Sequence, residues 1–190
     1  MKTTNIMLVG VGGQDISLAA QILSSALTAT GCDVKVSAAN GASQLGGSVS
    51  VHVKFGEKVY SPVIGLGEAD VIVAFELLEA YRALPYLRAG GKMLIDAQQI
   101  NPMPVAAGAA EYPQAIVDKV GEQADVKAIS ALMLAKILGS AEAVGAVMMG
   151  LLARSMDIPR EKWVEAIEAS VPEKLLSVNL SAFDMGFNQL

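Results

Sequence analysis

The stretch Ile6-Met-Leu-Val-Gly-Val-Gly-Gly-Gln-Asp15 decides the fold class of this 190-residue chain. Its apolar run ends in a glycine cluster, and apolar residues then recur at helical spacing from Ile16 to Leu27 before Gly31 ends the pattern. This order predicts a strand, a glycine-rich turn and a helix. Since Val34 to Ser37 has the pattern of a second strand, we expect a β-α-β unit in a parallel sheet.

The remaining strands are predicted from one alternating segment and from apolar runs. Ser48 to Phe55 alternates apolar with polar residues, and a turn after it leads to Val59-Tyr60, which predicts a hairpin. Buried strands are predicted at Val71–Phe75, Met93–Asp96 and Val126–Ile129, with a helix at Glu76–Leu87. Together these elements predict a three-layer α/β/α fold with a mostly parallel or mixed, Rossmann-like sheet.

The last third of the chain has a different character. Helices are predicted at Ala131–Leu138, Ala141–Met156 and Pro159–Ala169. The middle helix is apolar almost all round, so we expect it to be buried, with Gly145 and Gly150 permitting close backbone contact. Residues 131–190 therefore form a helical C-terminal part of a single domain that spans 1–190.

Composition excludes several classes of function. The chain is 53% hydrophobic and 17% charged, with a mean hydropathy of +0.45 and a formal net charge of -5. Without a basic run it lacks the electrostatic footprint of nucleic-acid binding. The longest uncharged apolar stretch near the C-terminal part, Ala143 to Ala153, falls short of the roughly 18 residues that span a bilayer. We expect a cytoplasmic protein whose excess apolar surface is covered by a partner.

Cysteine and histidine each occur once. Cys32 alone cannot form an internal disulfide or hold zinc or an iron-sulfur cluster, and one histidine gives no Ser-His-acid triad of obvious form. His52 lies among the polar positions of the alternating segment, which predicts a solvent-side or interface residue. Any redox centre must therefore be supplied from elsewhere.

The first glycine turn overlaps the dinucleotide-binding fingerprint only in part. Asp15 occupies the position where that fingerprint has glycine or alanine, and a carboxylate there repels phosphate. No acidic residue follows Val34–Ser37 to bind a ribose. Two other interpretations stay open: a tight turn capped by Asp15, or a loop that meets another subunit or its ligand.

A second loop, Asn40-Gly-Ala-Ser-Gln-Leu-Gly-Gly-Ser48, precedes the alternating strand. Loops rich in glycine and amide side chains often approach a ligand or a neighbouring backbone. A flexible connection explains the same residue types equally well, and neither loop names a reaction.

Taken together, these segments resemble the gamma subunit or domain of the 2-oxoacid:ferredoxin oxidoreductases, most closely the indolepyruvate branch of that family. The order of the motifs carries the resemblance, and it continues over nearly the whole chain. The motifs are Gly10-Val-Gly-Gly-Gln14, Gly41, Gln44 with Gly46-Gly-Ser-Val49, His52-Val-Lys-Phe55, Val59-Tyr-Ser-Pro62, Glu68-Ala-Asp-Val71, Phe75-Glu76, Glu79-Ala80, Leu84-Pro-Tyr-Leu87, Tyr112-Pro113, Gly145-Ala146 and Pro172 with Lys174.

The resemblance implies a fold like domain III of pyruvate:ferredoxin oxidoreductase. It implies an enzyme that oxidatively decarboxylates a 2-oxoacid, with coenzyme A as acyl acceptor and reduced ferredoxin as electron product. Indolepyruvate or another aryl pyruvate is the expected substrate, and pyruvate, 2-oxoglutarate or a branched-chain 2-oxoacid is the alternative. Thiamine diphosphate and the 4Fe-4S clusters then belong to a larger partner subunit, with no cofactor and no catalytic residue in this chain.

We further expect the two glycine loops to form one concave edge at the carboxyl ends of the strands, where ligands of open α/β sheets bind. This edge would contact coenzyme A, thiamine diphosphate or only the partner. Its predicted residues are Gly12, Gly13, Gln14, Gln44, Gly46, Gly47 and Ser48. The family commonly has glycine at Asp15 and often arginine at Leu45, so these departures alter either a ligand contact or the assembly. A stand-alone nucleotide-binding domain and a pure interaction module remain the alternatives of other classes.

Overall fold

The computed structural model describes residues 3–39 and 46–189. Within these ranges the strands are β1 (Thr4–Val11), β2 (Asp33–Ala39), β3 (Ser48–Gly56), β4 (Ala69–Ala74), β5 (Leu87–Asp96) and β6 (Asp125–Ile129). The helices are α1 (Ile16–Thr28), α2 (Leu77–Ala83), α3 (Met103–Ala106), α4 (Ile116–Gly121), α5 (Ala131–Ile137), α6 (Val144–Ala153), α7 (Arg160–Ser170) and α8 (Glu173–Phe187). Two 3-10 turns, Leu84–Tyr86 and Ala141–Ala143, precede β5 and α6.

The described strands form one mixed sheet in the order β2-β3-β1-β4-β5-β6. β1, β4, β5 and β6 are parallel, and β3 is antiparallel to both of its neighbours. The predicted α/β class with a mixed sheet is therefore confirmed.

Two predictions about neighbouring strands are wrong. β1 and β2 point the same way, as a β-α-β unit requires, but β3 lies between them and pairs with both. Because both edges of β3 are thus occupied, the hairpin to Val59-Tyr60 cannot form. Residues 57–68 instead make a loop, held where the Val59 amide donates to Asp33 Oδ2 (2.8 Å).

Helices cover both faces of the sheet. One buried cluster joins β1 and β3 to α1 and to the C-terminal helices, and a second joins β4 and β5 to α2 and α4. Every residue of α6 is buried, as its all-round apolar sequence predicts. None of the helices in the described ranges is long and apolar enough to cross a membrane.

The C-terminal part holds one helix beyond those delimited from the sequence. α8 begins after Pro172 and packs along α6, with Ala182, Phe183 and Gly186 among its buried residues. A Cβ atom built on Gly150 would overlap the backbone of α8, so the close contact expected at Gly150 is confirmed. Gly145 is different, because a Cβ there would meet only Ala19 Cβ at 3.9 Å.

Candidate functional site

The described parts of the two glycine loops are joined directly through their backbones. The Gly12 amide donates to the Gly47 carbonyl (2.8 Å), and the Gly46 amide donates to the Gly12 carbonyl (3.2 Å). This contact lies at the carboxyl ends of the parallel strands, because β3 is antiparallel to β1 and begins where β1 ends. The structure thus brings Gly12, Gly46, Gly47 and Ser48 together; Gln44 and Leu45 lie outside the described residues.

Gln14 holds three segments together at this edge. Its Oε1 accepts from the Val11 amide (2.8 Å), while its Nε2 donates to the Phe75 carbonyl (2.7 Å) and to Gln98 Oε1 (2.9 Å). Gly10 makes room for this side chain, since a Cβ there would lie 2.7 Å from Gln14 Oε1. The hydrogen-bonding groups of Gln14 are therefore engaged within the chain.

Asp15 starts α1 without capping it. Its backbone has φ 53 and ψ 36, the left-handed conformation that glycine adopts without strain and aspartate tolerates. The carbonyl of Asp15 accepts from Leu18 and Ala19, but its exposed side chain makes no cap hydrogen bond. The expectation that Asp15 caps the helix is wrong; the left-handed turn accounts for glycine being favoured at this position.

A buried carboxylate, Glu79, bonds to the residue that ends the second loop. Ser48 Oγ donates to Glu79 Oε2 (2.5 Å), and Arg82 Nη1 donates to Glu79 Oε1 (2.5 Å). Glu79 is only 4% exposed, whereas the Arg82 side chain is about half exposed. The carboxylate therefore fixes the beginning of β3, and with it the end of the second glycine loop.

A second buried carboxylate adjoins the first. Glu76 Oε1 accepts from the Tyr112 hydroxyl (2.5 Å) and the Ile100 amide, and its Oε2 accepts from the Glu79 amide (2.9 Å). Burial, and then the hydrogen bond to Glu76, raise the pKa of Tyr112. Composition and spacing did not single out this pair of acids; the available signal was two glutamates just after a buried strand.

A cavity of about 560 Å³ opens beside the glycine turn. Its wall includes Gly12, Gly13, Gln14 and Gln98, the first turn of α1, and residues at the starts of α5 and α6. Asp15 and Glu142 contribute carboxylates, while none of the described lining residues is Lys or Arg, and the sequence of 40–45 contains neither. The wall is thus poorly suited to a diphosphate, because no cationic side chain among its described residues offsets the charge.

Metal-ligating side chains are also dispersed. Within residues 3–39 and 46–189, no group of three or more His, Cys, Asp or Glu residues is placed to hold a metal ion. Cys32 is half-buried beside the Thr30 hydroxyl (3.3 Å). The residues described do not fit an iron-sulfur cluster, which needs several thiolates.

Asp96 is a buried carboxyl group that contacts the start of α5. It is 1% exposed at the end of β5, and its Oδ1 accepts from the Ala131 amide (2.9 Å) at the start of α5. Burial raises the pKa of Asp96 to about 6, against the opposing effect of backbone amides that include those of Leu132 and Ala131. This carboxyl group therefore joins the end of β5 to the start of α5.

His52 lies far from the glycine loops along β3, and its predicted exposure is wrong. The ring occupies the expected face, opposite Val51 and Val53, but it is 8% exposed because residues 57–68 fold over it. Its Nδ1 accepts from the Ile64 amide (3.0 Å), and its ring meets Tyr86 edge-on. Burial, and then the Lys54 charge, lower the pKa of His52.

The fold and the joined glycine loops define an α/β protein with a preformed cavity at the carboxyl edge of its parallel strands. The model of the family described as pyruvate ferredoxin/flavodoxin oxidoreductase matches residues 5–189. The chain is 40% identical to the indolepyruvate oxidoreductase subunit IorB of Pyrococcus horikoshii, over 98% of this chain and 95% of the relative. It is 38% identical to the IorB subunit of Thermococcus kodakarensis, with the same coverage.

Solved structures agree in fold. The gamma subunit of a keto/oxoacid ferredoxin oxidoreductase from Geobacter sulfurreducens superposes with a TM-score of 0.73 at 22% identity, covering 98% of this chain and 97% of that one. The 2-oxoglutarate:ferredoxin oxidoreductase of Magnetococcus marinus gives a TM-score of 0.78 at 22% identity, covering all of this chain but 31% of that one. The chain belongs to the pyruvate ferredoxin/flavodoxin oxidoreductase family. It is a subunit of an oxidoreductase of the 2-oxoacid class.

Proposed function

We propose that this chain is the small subunit of an enzyme that oxidatively decarboxylates an aryl pyruvate, with indolepyruvate as the first candidate. The reaction converts the 2-oxoacid and coenzyme A to acyl-CoA and carbon dioxide, and its two electrons reduce ferredoxin. The observation that carries the proposal is near-full-length similarity, at 34–40% identity, to four relatives named as indolepyruvate oxidoreductase subunits.

The division of labour follows from the residues of this chain. With one cysteine it cannot supply the thiolates of a 4Fe-4S cluster, and none of the described residues that line its glycine-turn cavity carries a positive charge to pair with a diphosphate. We therefore assign the clusters and thiamine diphosphate to a larger partner subunit in the cytoplasm. The partner subunit then also determines the substrate specificity of the enzyme.

The joined glycine loops are the proposed contact of this chain with the ligand or the partner. Backbone contacts between Gly12, Gly46 and Gly47 and the bond from Ser48 to Glu79 give this edge a fixed shape before anything binds. A preformed surface loses little conformational entropy on binding. Gly13 and Gln14 belong to the same edge, and Gln44 is proposed from its sequence position alone.

Co-purification from the native cell tests the proposal. We expect a brown partner chain that carries iron-sulfur clusters and a thiamine-binding domain. The complex should reduce ferredoxin with indolepyruvate and coenzyme A at a higher kcat/KM than with pyruvate or 2-oxoglutarate. A preference for pyruvate would transfer the assignment to another branch of the family. A stable monomer that binds NAD at micromolar concentration, as measured by isothermal titration, would refute it.

A further inference from the structure

The orientation of the Gln98 side chain is set by its neighbours. Gln14 cannot be turned over, because its oxygen must accept from the Val11 amide and its nitrogen must donate to the Phe75 carbonyl. The second proton of Gln14 Nε2 then points to Gln98, so the atom of Gln98 that it meets at 2.9 Å is the amide oxygen. The Gln98 nitrogen is therefore the other end of that amide.

This nitrogen is a donor for which residues 3–39 and 46–189 provide no acceptor. Within the described residues, the Gln98 side chain has one bond, accepted by its Oε1 from Gln14; its backbone carbonyl accepts from Leu77 and its backbone amide donates to Asp96. Gln98 is half-buried and lines the cavity beside the glycine turn. An amide donor held in one orientation at a cavity wall is a device for selecting a hydrogen-bond acceptor.

We propose that Gln98, with Gln14 as its positioning residue, donates a hydrogen bond to an uncharged amide carbonyl of the molecule that enters this cavity. The first-turn amides of α1 add further donors to the same wall. Asp15 and Glu142, without any Lys or Arg in the described lining, favour a neutral oxygen over a phosphate. The inference rests on the proposed function, which supplies two sources of such a carbonyl. One is the amide-bearing pantetheine arm of coenzyme A, and the other is the main chain of the partner subunit.

Substitutions at Gln98 test this bond in the assembled complex. Gln98→Glu keeps an oxygen for Gln14 but replaces the free donor with a carboxylate, and Gln98→Met removes the donor without adding charge. The matched controls are Gln99→Glu and Gln99→Met, because Gln99 is exposed and its Nε2 bonds only to Asn101 within the described residues. The steady-state probes are coenzyme A and pantetheine, which keeps the amides and lacks the phosphates. The affinity of the two purified subunits is measured separately.

If the carbonyl belongs to the pantetheine arm, both Gln98 variants raise KM for coenzyme A and for pantetheine about tenfold, with kcat within about twofold. If it belongs to the partner, they weaken subunit affinity about tenfold instead. Either result supports the bond and identifies its source, provided that the Gln99 variants behave as wild type.

Unchanged KM and subunit affinity in an active complex overturn the inference. So does a fall in kcat with both binding measures unchanged, or an equal response from the Gln99 controls. Melting temperatures of the variants separate a loss of folding from a loss of binding. Failure of the proposed function is distinct, because the wild-type complex would then show no oxidation of 2-oxoacids.

Discussion

Gly150 on α6 and Gly186 on α8 each lie directly against the backbone of the other helix. A Cβ on Gly150 would overlap the carbonyl oxygen of Phe183, and a Cβ on Gly186 would overlap that of Val147. The two helices therefore meet backbone to backbone, with no side chain between them. Since the overlapped atoms are carbonyl groups within helices, neither can move aside cheaply.

Gly150→Ala should therefore destabilise the chain. Although alanine favours helix, the added methyl group must push α6 and α8 apart, and overpacking of a core costs about 1–3 kcal/mol. Chemical denaturation of the full chain measures the change in the free energy of unfolding. Gly145→Ala is the matched control in the same helix, because its Cβ has ordinary room, and we expect it to be neutral or slightly stabilising. Equal stability of the two variants would contradict the close contact.

Ser48→Ala tests the bond that fixes the second glycine loop. The variant leaves the buried carboxylate of Glu79 with Arg82 as its remaining side-chain donor. An unsatisfied buried acceptor costs about 1–3 kcal/mol. We expect a lower free energy of unfolding and faster hydrogen exchange at the Gly12 amide, which bonds to Gly47. Ser24, whose hydroxyl bonds only locally to the Gln21 carbonyl, provides the control, Ser24→Ala, and a response no larger than that control would refute the anchoring role.

Asp96 gives stability a defined dependence on pH. Its pKa is raised from 3.8 to about 6 in the fold, so the folded state binds the proton more tightly than the unfolded state. The resulting stabilisation is complete below about pH 3.8 and is lost as pH rises through about 6, an effect of the order of 3 kcal/mol.

Asp96→Asn removes that titration. We expect the variant to gain about 3 kcal/mol relative to wild type between about pH 4 and about pH 7. Denaturation curves across this interval measure it, with the exposed Asp118→Asn as control. A constant difference between variant and wild type would show that burial of Asp96 does not set its protonation.

The loop that covers His52, residues 57–68, should be destabilised at low pH, which is the opposite of the pH dependence expected from Asp96. Its pKa is lowered, so the neutral ring stabilises the fold above about pH 6.5, and that contribution is lost as pH falls through the lowered value. Protonation of Nδ1 removes the acceptor of the Ile64 amide. Hydrogen exchange at Ile64, corrected for intrinsic rates, should accelerate as pH falls below the ordinary histidine pKa of 6.5. In His52→Asn, which keeps an acceptor that does not titrate, the acceleration should disappear.

Local patterns predicted the strands and most helices because each is determined by near neighbours in the chain. The apolar run before Gly10 and the helical spacing after Asp15 need no distant partner to be recognised. The place of β3 between β1 and β2 was not predictable in this way. It depends on pairing between strands that are separated by a helix and a loop, and periodicity carries no information on such pairing.

The features of the candidate site were likewise predictable only where they did not depend on contacts between distant residues. The meeting of Gly12 with Gly46 and Gly47 follows from general rules about the carboxyl edge of parallel strands. Gln98 was missed because a glutamine in a connecting segment has no distinctive spacing, and its importance comes from Gln14, many residues earlier in the chain. Glu79 was missed as an anchor for the same reason, since its partner Ser48 lies on another element.

The backbone contact between α6 and α8 also has a consequence during synthesis, because α6 is made before the helix that covers it. A helix with no polar face emerges from the ribosome before the segment Glu173–Phe187 that must cover it. Until then the nascent chain exposes an apolar surface of the kind that chaperones bind. Ribosome pausing in the codons between the two helices would therefore lengthen the interval in which this subunit is prone to aggregate.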